Sequence, residues 1–230
     1  TLILEIKFCK ENKVIQASDI KIEYEIFLQE CLKNLSYMEG FWRIYPLLLC
    51  EIVEACNEYV LLLRNMVERL EKDRKEIIRE LCNGKEFEML VRVESDMADF
   101  HDYGETVVKI VLDNGITIYY KPQKNNLKKI YLEYLKVLYK DQKLDSYDYK
   151  IVFQSKYSWE KEVYYKECAT ETEIKNYFTR LGINLFLCYA IGAADIHYEN
   201  VIAAGEFPVL IDKEVIKRNK NSNIMRDIEK

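Results

Sequence analysis

The sequence predicts an α+β fold, and three observations carry that reading. Residues 18 to about 84 show helical periodicity of apolar positions. Between residues 106 and 121, two β-branched runs flank Asp113-Asn114-Gly115, the chemistry of a tight hairpin turn. A capping box, Thr170-Glu171-Thr172-Glu173, then opens a further helix.

Taken in order, Ser18 and Asp19 are the caps expected to open a helix at Ile20, with Ile22, Ile26, Phe27 and Leu32 on one face. Tyr45 to about Leu81 holds long helical patterns that Asn83-Gly84 ends. Within it, Arg64 to Arg79 is heavily charged but keeps Met66, Val67, Leu70, Ile77 and Ile78 for packing, so the charge reads as a solvated helix face. The pattern changes near residue 88. Thr106 to Leu112 and Ile116 to Lys121 are the hairpin strands, and Pro122 ends the second by removing a ladder donor. Leu127 to Tyr139 reads as a helix that buries Ile130, Tyr131, Tyr134, Leu135 and Leu138, and Tyr149 to Phe153 as another strand. The helix opened by the capping box carries Ile174, Tyr177, Phe178, Leu181, Leu185, Cys188 and Tyr189 on one face and ends at Gly192. Val201 to Ala203 and Val209 to Ile211 read as short strands around a turn with Gly205 and Pro208. The expected organisation is a helical N-terminal region (1–87), a small sheet-containing lobe (88–153) and the start of a larger lobe (154–230).

Bulk properties narrow the function classes. A chain of 230 residues suits one large domain or two small ones. A net charge of -5 and a pI near 5.4 leave no general nucleic-acid footprint. No segment approaches the roughly 20 uncharged apolar residues of a membrane span. The first residues, Thr1 to Lys7, are too short and charged for a signal peptide, and the missing initiator methionine suggests a fragment or processed chain. Seven cysteines, an odd number without a C-x-x-C pair and mostly among apolar residues, read as reduced thiols of a cytoplasmic protein. No ligand spacing favours zinc.

Only two histidines occur, and both sit in short acidic motifs: Asp99-Phe100-His101-Asp102-Tyr103-Gly104 and Asp195-Ile196-His197-Tyr198-Glu199-Asn200. Twelve residues after Asn200, Asp212-Lys213-Glu214 closes the apolar run Val209-Leu210-Ile211, and Lys121 ends a strand well upstream. Transfer of a γ-phosphoryl group needs positioning and charge neutralisation more than covalent chemistry. A lysine must hold the phosphates, a carboxylate or imidazole must serve the acceptor hydroxyl, and oxygen ligands must hold Mg²⁺. Protein kinases place a catalytic Asp five residues before a metal-binding Asn, with a second metal-binding Asp after a strand. Asp195, Asn200 and Asp212 follow that order, and the histidine inside Asp-x-His-x-x-Asn is the form lipid kinases use. Each residue also has a plainer reading alone. Lys121 suits a strand-end surface, His197 a packed loop, Asn200 a turn cap, Glu214 an ordinary strand-end acid, and His101 an exposed acidic turn. Glu133, the only acid on the predicted 127–139 helix, is a candidate ion-pair partner for Lys121.

Four segments occur in one order: Asp96-Met97-Ala98-Asp99-Phe100-His101-Asp102-Tyr103-Gly104, then Tyr119-Tyr120-Lys121-Pro122, then Tyr157-Ser158-Trp159, then Asp195 through Glu214. From about Phe41 to Val215 the chain strongly resembles the N-terminal dehydratase domain of type 2 lanthipeptide synthetases, the LanM family. The resemblance implies a kinase-like core related to lipid kinases, here C-terminally incomplete. It implies ATP- and Mg²⁺-dependent phosphorylation of Ser and Thr in a ribosomal precursor peptide (leader plus Ser/Thr-rich core), followed by elimination to dehydroalanine or dehydrobutyrine. Carried over by position, Lys121 would bind the ATP phosphates, with Asp99 and His101 in the region of a nucleotide-covering loop. Asp195 and His197 would serve the acceptor hydroxyl, and Asn200, Asp212 and Glu214 would hold magnesium. The chain departs from the family in two respects. The family's elimination residues and zinc cyclase fall beyond Lys230, which implies a separate elimination or cyclase portion as partner, and Lys161 stands where the family usually has a glutamate after the tryptophan. Two rivals remain: an inactive remnant or peptide-binding module of such a synthetase, and a lipid- or small-molecule kinase.

Overall fold

The structure is a computed structural model that describes residues 2–17, 19–95, 106–123, 126–193 and 196–211. The chain divides into two compact units, Thr1–Leu61 and Leu62–Lys230. The observed mixture of helices with antiparallel strands is the α+β class that the sequence predicts.

The first unit is helical. It contains α1 (Leu2–Glu11), α2 (Ile20–Ile26), a π-helical segment (Phe27–Leu32), α3 (Leu35–Ile44) and the start of α4 (Pro46–Glu80). Asp19 caps α2 by accepting from the backbone N–H groups of Lys21 and Ile22, at 2.8 and 3.4 Å. Ser18, the other predicted cap, lies outside the described residues. Pro46 opens α4 at the position where a missing N–H costs no helical bond. Cys9, Ile15, Phe27 and Cys31 form the small core. The buried Glu5 beside it accepts from the Tyr37 and Tyr45 hydroxyls, at 2.9 and 2.6 Å. The periodicity reading began at residue 18 and did not anticipate α1.

The second unit is built on a five-stranded antiparallel sheet: β1 (Leu90–Glu94), β2 (Val108–Leu112), β3 (Thr117–Lys121), β4 (Ile151–Phe153) and β5 (Ser158–Lys161), in the order β1-β2-β3-β5-β4. The predicted hairpin is β2–β3. Gly115 takes φ +81° at its tip, a conformation that costs glycine nothing. The Asn114 side chain accepts from the Ile116 N–H at 3.0 Å. Side chains alternate across the sheet. Register aligns Val108, Tyr120, Trp159 and Val152 in one row, and Lys109, Tyr119, Glu160 and Ile151 in the next. The first row packs with Leu62, Met66, Leu70, Ile77 and Ile78 of α4 into the main core. One buried acid organises this contact: Asp73 of α4 accepts from Trp159 Nε1 at 2.9 Å and from the Gln154 amide at 3.3 Å. The second row faces the opposite way and is left for the cleft described below.

Two helices, α5 (Asn126–Asp141) and α6 (Glu171–Ala190), pack with a two-stranded hairpin of β6 (Val201–Ala204) and β7 (Phe207–Leu210). Tyr131, Leu187, Cys188 and Leu210 are the centre of this second core. Thr170 caps α6 from its hydroxyl, as the capping box predicts, and Gly192 at φ +68° follows its end. The face of α6 differs from the expectation. Phe178 and Leu185 are 63% and 66% exposed, and Ile174 and Tyr189 are exposed with them. Cys188 of the expected face is buried, and Arg180, Asn184 and Leu187 are buried with it. Polar groups can occupy the buried face because each is satisfied. Asn184 accepts from the Tyr131 hydroxyl and donates to the Tyr139 hydroxyl at 3.1 Å and the Pro208 carbonyl at 3.2 Å. Arg180 donates to Glu206 Oε2 at 2.8 Å and stacks 4.4 Å from the Phe207 ring centroid. On α5, Tyr134 is likewise exposed rather than buried.

Candidate functional site

The site grows from the second row of the sheet. Lys121 ends β3, and its side chain, 14% exposed, donates to the Ile211 carbonyl at 2.7 Å. Glu160 stands on the neighbouring strand β5, its Oε2 3.5 Å from Lys121 Nζ. Lys128, near the start of α5 and only 2% exposed, hydrogen-bonds Glu160 Oε1 directly and lies 3.4 Å from the Ile211 carbonyl. The Tyr149 hydroxyl donates to Glu160 Oε2 at 2.6 Å. Burial alone would raise the Glu160 pKa. The ammonium groups of Lys121 and Lys128 and the hydrogen bonds from Lys128 and Tyr149 outweigh it and hold the carboxyl at about 2. Tyr149 is pushed the other way, well above the ordinary phenol value, by its burial and by the Glu160 charge, and so remains a donor.

The opposite wall comes from the loop after α6. Residues Tyr198–Asn200 form one 3-10 turn that leads directly into β6. The Asn200 N–H donates to the His197 carbonyl at 3.1 Å, and Asn200 Nδ2 donates to His197 Nε2 at 3.1 Å. On the other side of the ring, His197 Nδ1 lies 3.6 Å from Glu199 Oε2. The Ile211 N–H donates to the Asn200 carbonyl at 3.0 Å. Ile211 is therefore held from both sides, by Asn200 through its N–H and by Lys121 through its carbonyl. Lys121, Tyr149, Glu160, His197, Glu199, Asn200 and Ile211 together line a cleft of about 290 Å³, with Val107, Val163 and Ile202 supplying apolar wall.

Three residues singled out from the sequence, Lys121, His197 and Asn200, thus share one cleft. Asp99, His101, Asp195, Asp212 and Glu214 lie outside the described residues. The ion partner of Lys121 is Glu160 and not Glu133, which is exposed on α5. Glu160, Lys128 and Tyr149 were missed by motif reading. The one local hint was a charged residue next to Trp159 in a segment whose other residues suit a buried strand. The cleft wall carries both signs, Lys121 and Lys161 beside Glu160 and Glu199, and the Glu160 carboxylate stands 3.5 Å from the Lys121 ammonium. Among the described residues no group of three His, Cys, Asp or Glu side chains is placed to hold a metal, so Asn200 is the predicted magnesium ligand that the described cleft contains.

The family described as "Domain of unknown function (DUF4135)" matches residues 45–229. The Lacticin 481/lactococcin biosynthesis protein LcnDR2 of Lactococcus lactis subsp. lactis is 22% identical over 225 residues, which cover 94% of this chain and 24% of that protein. The chain therefore spans about a quarter of the length of this relative. The resemblance read from the motifs agrees with both findings, and the chain belongs to the DUF4135 family as a LanM-like relative.

Proposed function

We propose that this chain carries a kinase-like core that phosphorylates Ser and Thr of a ribosomal lanthipeptide precursor, using ATP and Mg²⁺, as the first half of dehydration. The observation that supports it most is the cleft itself, where a strand-end lysine held by a buried glutamate faces a His-x-x-Asn loop. The relative's role in lacticin 481 and lactococcin biosynthesis supports the substrate class. The setting is cytoplasmic, where precursor and ATP are both present. No helix among the described residues is long and apolar enough to cross a membrane.

In this reading Lys121 neutralises the nucleotide phosphates, and Asp99 and His101 belong to the segment that covers them. Asn200, Asp212 and Glu214 would hold magnesium, which would supply charge neutralisation for the phosphates when bound. Asp195 receives the proton of the acceptor hydroxyl as its oxygen bonds to the γ-phosphorus and the bond to the leaving diphosphate breaks. His197 joins the two sides, because its ring is hydrogen-bonded to Asn200 at the cleft wall.

The test is incubation of the chain with ATP, Mg²⁺ and a lanthipeptide precursor, followed by mass spectrometry. Phosphate adducts on Ser or Thr that vanish in Lys121→Ala are expected. A precursor that returns unmodified, or modified equally by Lys121→Ala, overturns the proposal.

A further inference from the structure

In a two-residue lysine–carboxylate pair, the carboxylate that positions the lysine also competes with the phosphate for it. The arrangement here is different. Both oxygens of Glu160 already have close partners other than Lys121. Lys128 and the Ser158 hydroxyl, the latter at 3.4 Å, are on Oε1, and the Tyr149 hydroxyl is on Oε2 at 2.6 Å. Lys121 stands farther off, at 3.5 Å from Oε2, and spends a hydrogen bond on the Ile211 carbonyl instead. Lys121 lines the cleft, while Lys128 does not. Lys128 also approaches the same Ile211 carbonyl at 3.4 Å, so it braces both groups that Lys121 touches.

We propose that Lys128 is a positioning residue for phosphate binding: it occupies the Glu160 carboxylate from behind, and so keeps Lys121 oriented by that carboxylate without being captured by it. The proposal rests on the cleft being the nucleotide site. It follows that Lys128 acts through Glu160 and Lys121 and touches no ligand. Removing it takes the second ammonium away from Glu160, whose Oε1 keeps the Ser158 hydroxyl at 3.4 Å, and lets the carboxylate close on Lys121 as its cationic partner. Such a pair resists exchange for a phosphate, because separating it leaves an uncompensated buried charge.

The experiment is calorimetric titration of ATP with Mg²⁺ into the full chain and its variants. Lys128→Met is expected to weaken ATP by roughly tenfold, the scale of coupling within one charge network. Lys128→Arg is expected to bind as the parent does. The double variant Lys128→Met/Glu160→Gln is expected to bind ATP within about threefold of Glu160→Gln alone, since Lys128 acts only through that carboxylate. A merely structural lysine predicts a further loss of about tenfold in the double variant relative to Glu160→Gln. Should Lys128→Met not fold, this comparison on the Glu160→Gln background carries the test alone: affinity within about threefold of Glu160→Gln supports the proposal, and a further loss of about tenfold or more overturns it. If the parent chain binds ATP and Lys121→Ala does not, yet Lys128→Met binds normally, this inference falls and the functional reading stands. If the parent chain itself fails to bind ATP, both fall.

Discussion

Glu160 is a carboxylate with almost no access to water, and its ionisation is maintained by neighbours that would otherwise be buried charges themselves. Truncating one member of such a group leaves the rest unpaired and typically costs about 3–5 kcal/mol. Glu160→Ala should therefore lower unfolding free energy by that order, measured by urea denaturation, and a loss near zero would contradict the network. The pH dependence has a definite sign. The folded pKa of Glu160, about 2, lies below the ordinary value of 4.5, so its contribution is fully present above about pH 4.5 and drains away as pH falls through the folded value. The urea midpoint of the parent chain should fall more steeply between about pH 5 and about pH 3 than that of Glu160→Gln. At this scale, Lys121, His197 and Asn200 were legible because motif order and spacing carry them. Glu160 was not, because a lone acid on a strand gives no local signal of which distant lysine it faces. Glu133 drew attention only because it is the sole acid of the predicted 127–139 span.

Among the elements, the hairpin was readable from its turn chemistry, with Asn114 and Gly115 doing what the turn demands. Strand β5 was not read as a strand, since its four residues include two charges and its identity depends on pairing with β3. Helix α6 shows why apolar periodicity found its buried face only in part, with Cys188 buried as expected. Its buried side contains Arg180 and Asn184, which tertiary partners satisfy, while Phe178 and Leu185 point outward. Asn184 bridges Tyr131 and Tyr139 of α5 and the β7 backbone. Asn184→Ala should orphan buried groups and cost about 1–3 kcal/mol. Phe178→Glu should stay within about 0.5 kcal/mol of the parent. Denaturation midpoints of the two variants check both statements, and equal effects would refute the assignment of faces.

Over the whole molecule, the family match from residue 45 to 229 covers all the described cleft residues, whereas most of the first unit precedes it. The central claim is that this cleft binds a magnesium nucleotide through Lys121. A ligand that binds only the folded state stabilises it by about 2.7 kcal/mol at a hundred times its dissociation constant. The most direct measurement is the thermal midpoint with and without ATP and Mg²⁺, in the parent chain, Lys121→Ala and Asp212→Asn. A rise is expected in the parent, none in Lys121→Ala, and loss of the magnesium-dependent part in Asp212→Asn. No rise in the parent at saturating nucleotide, or an undiminished rise in Lys121→Ala, would contradict it.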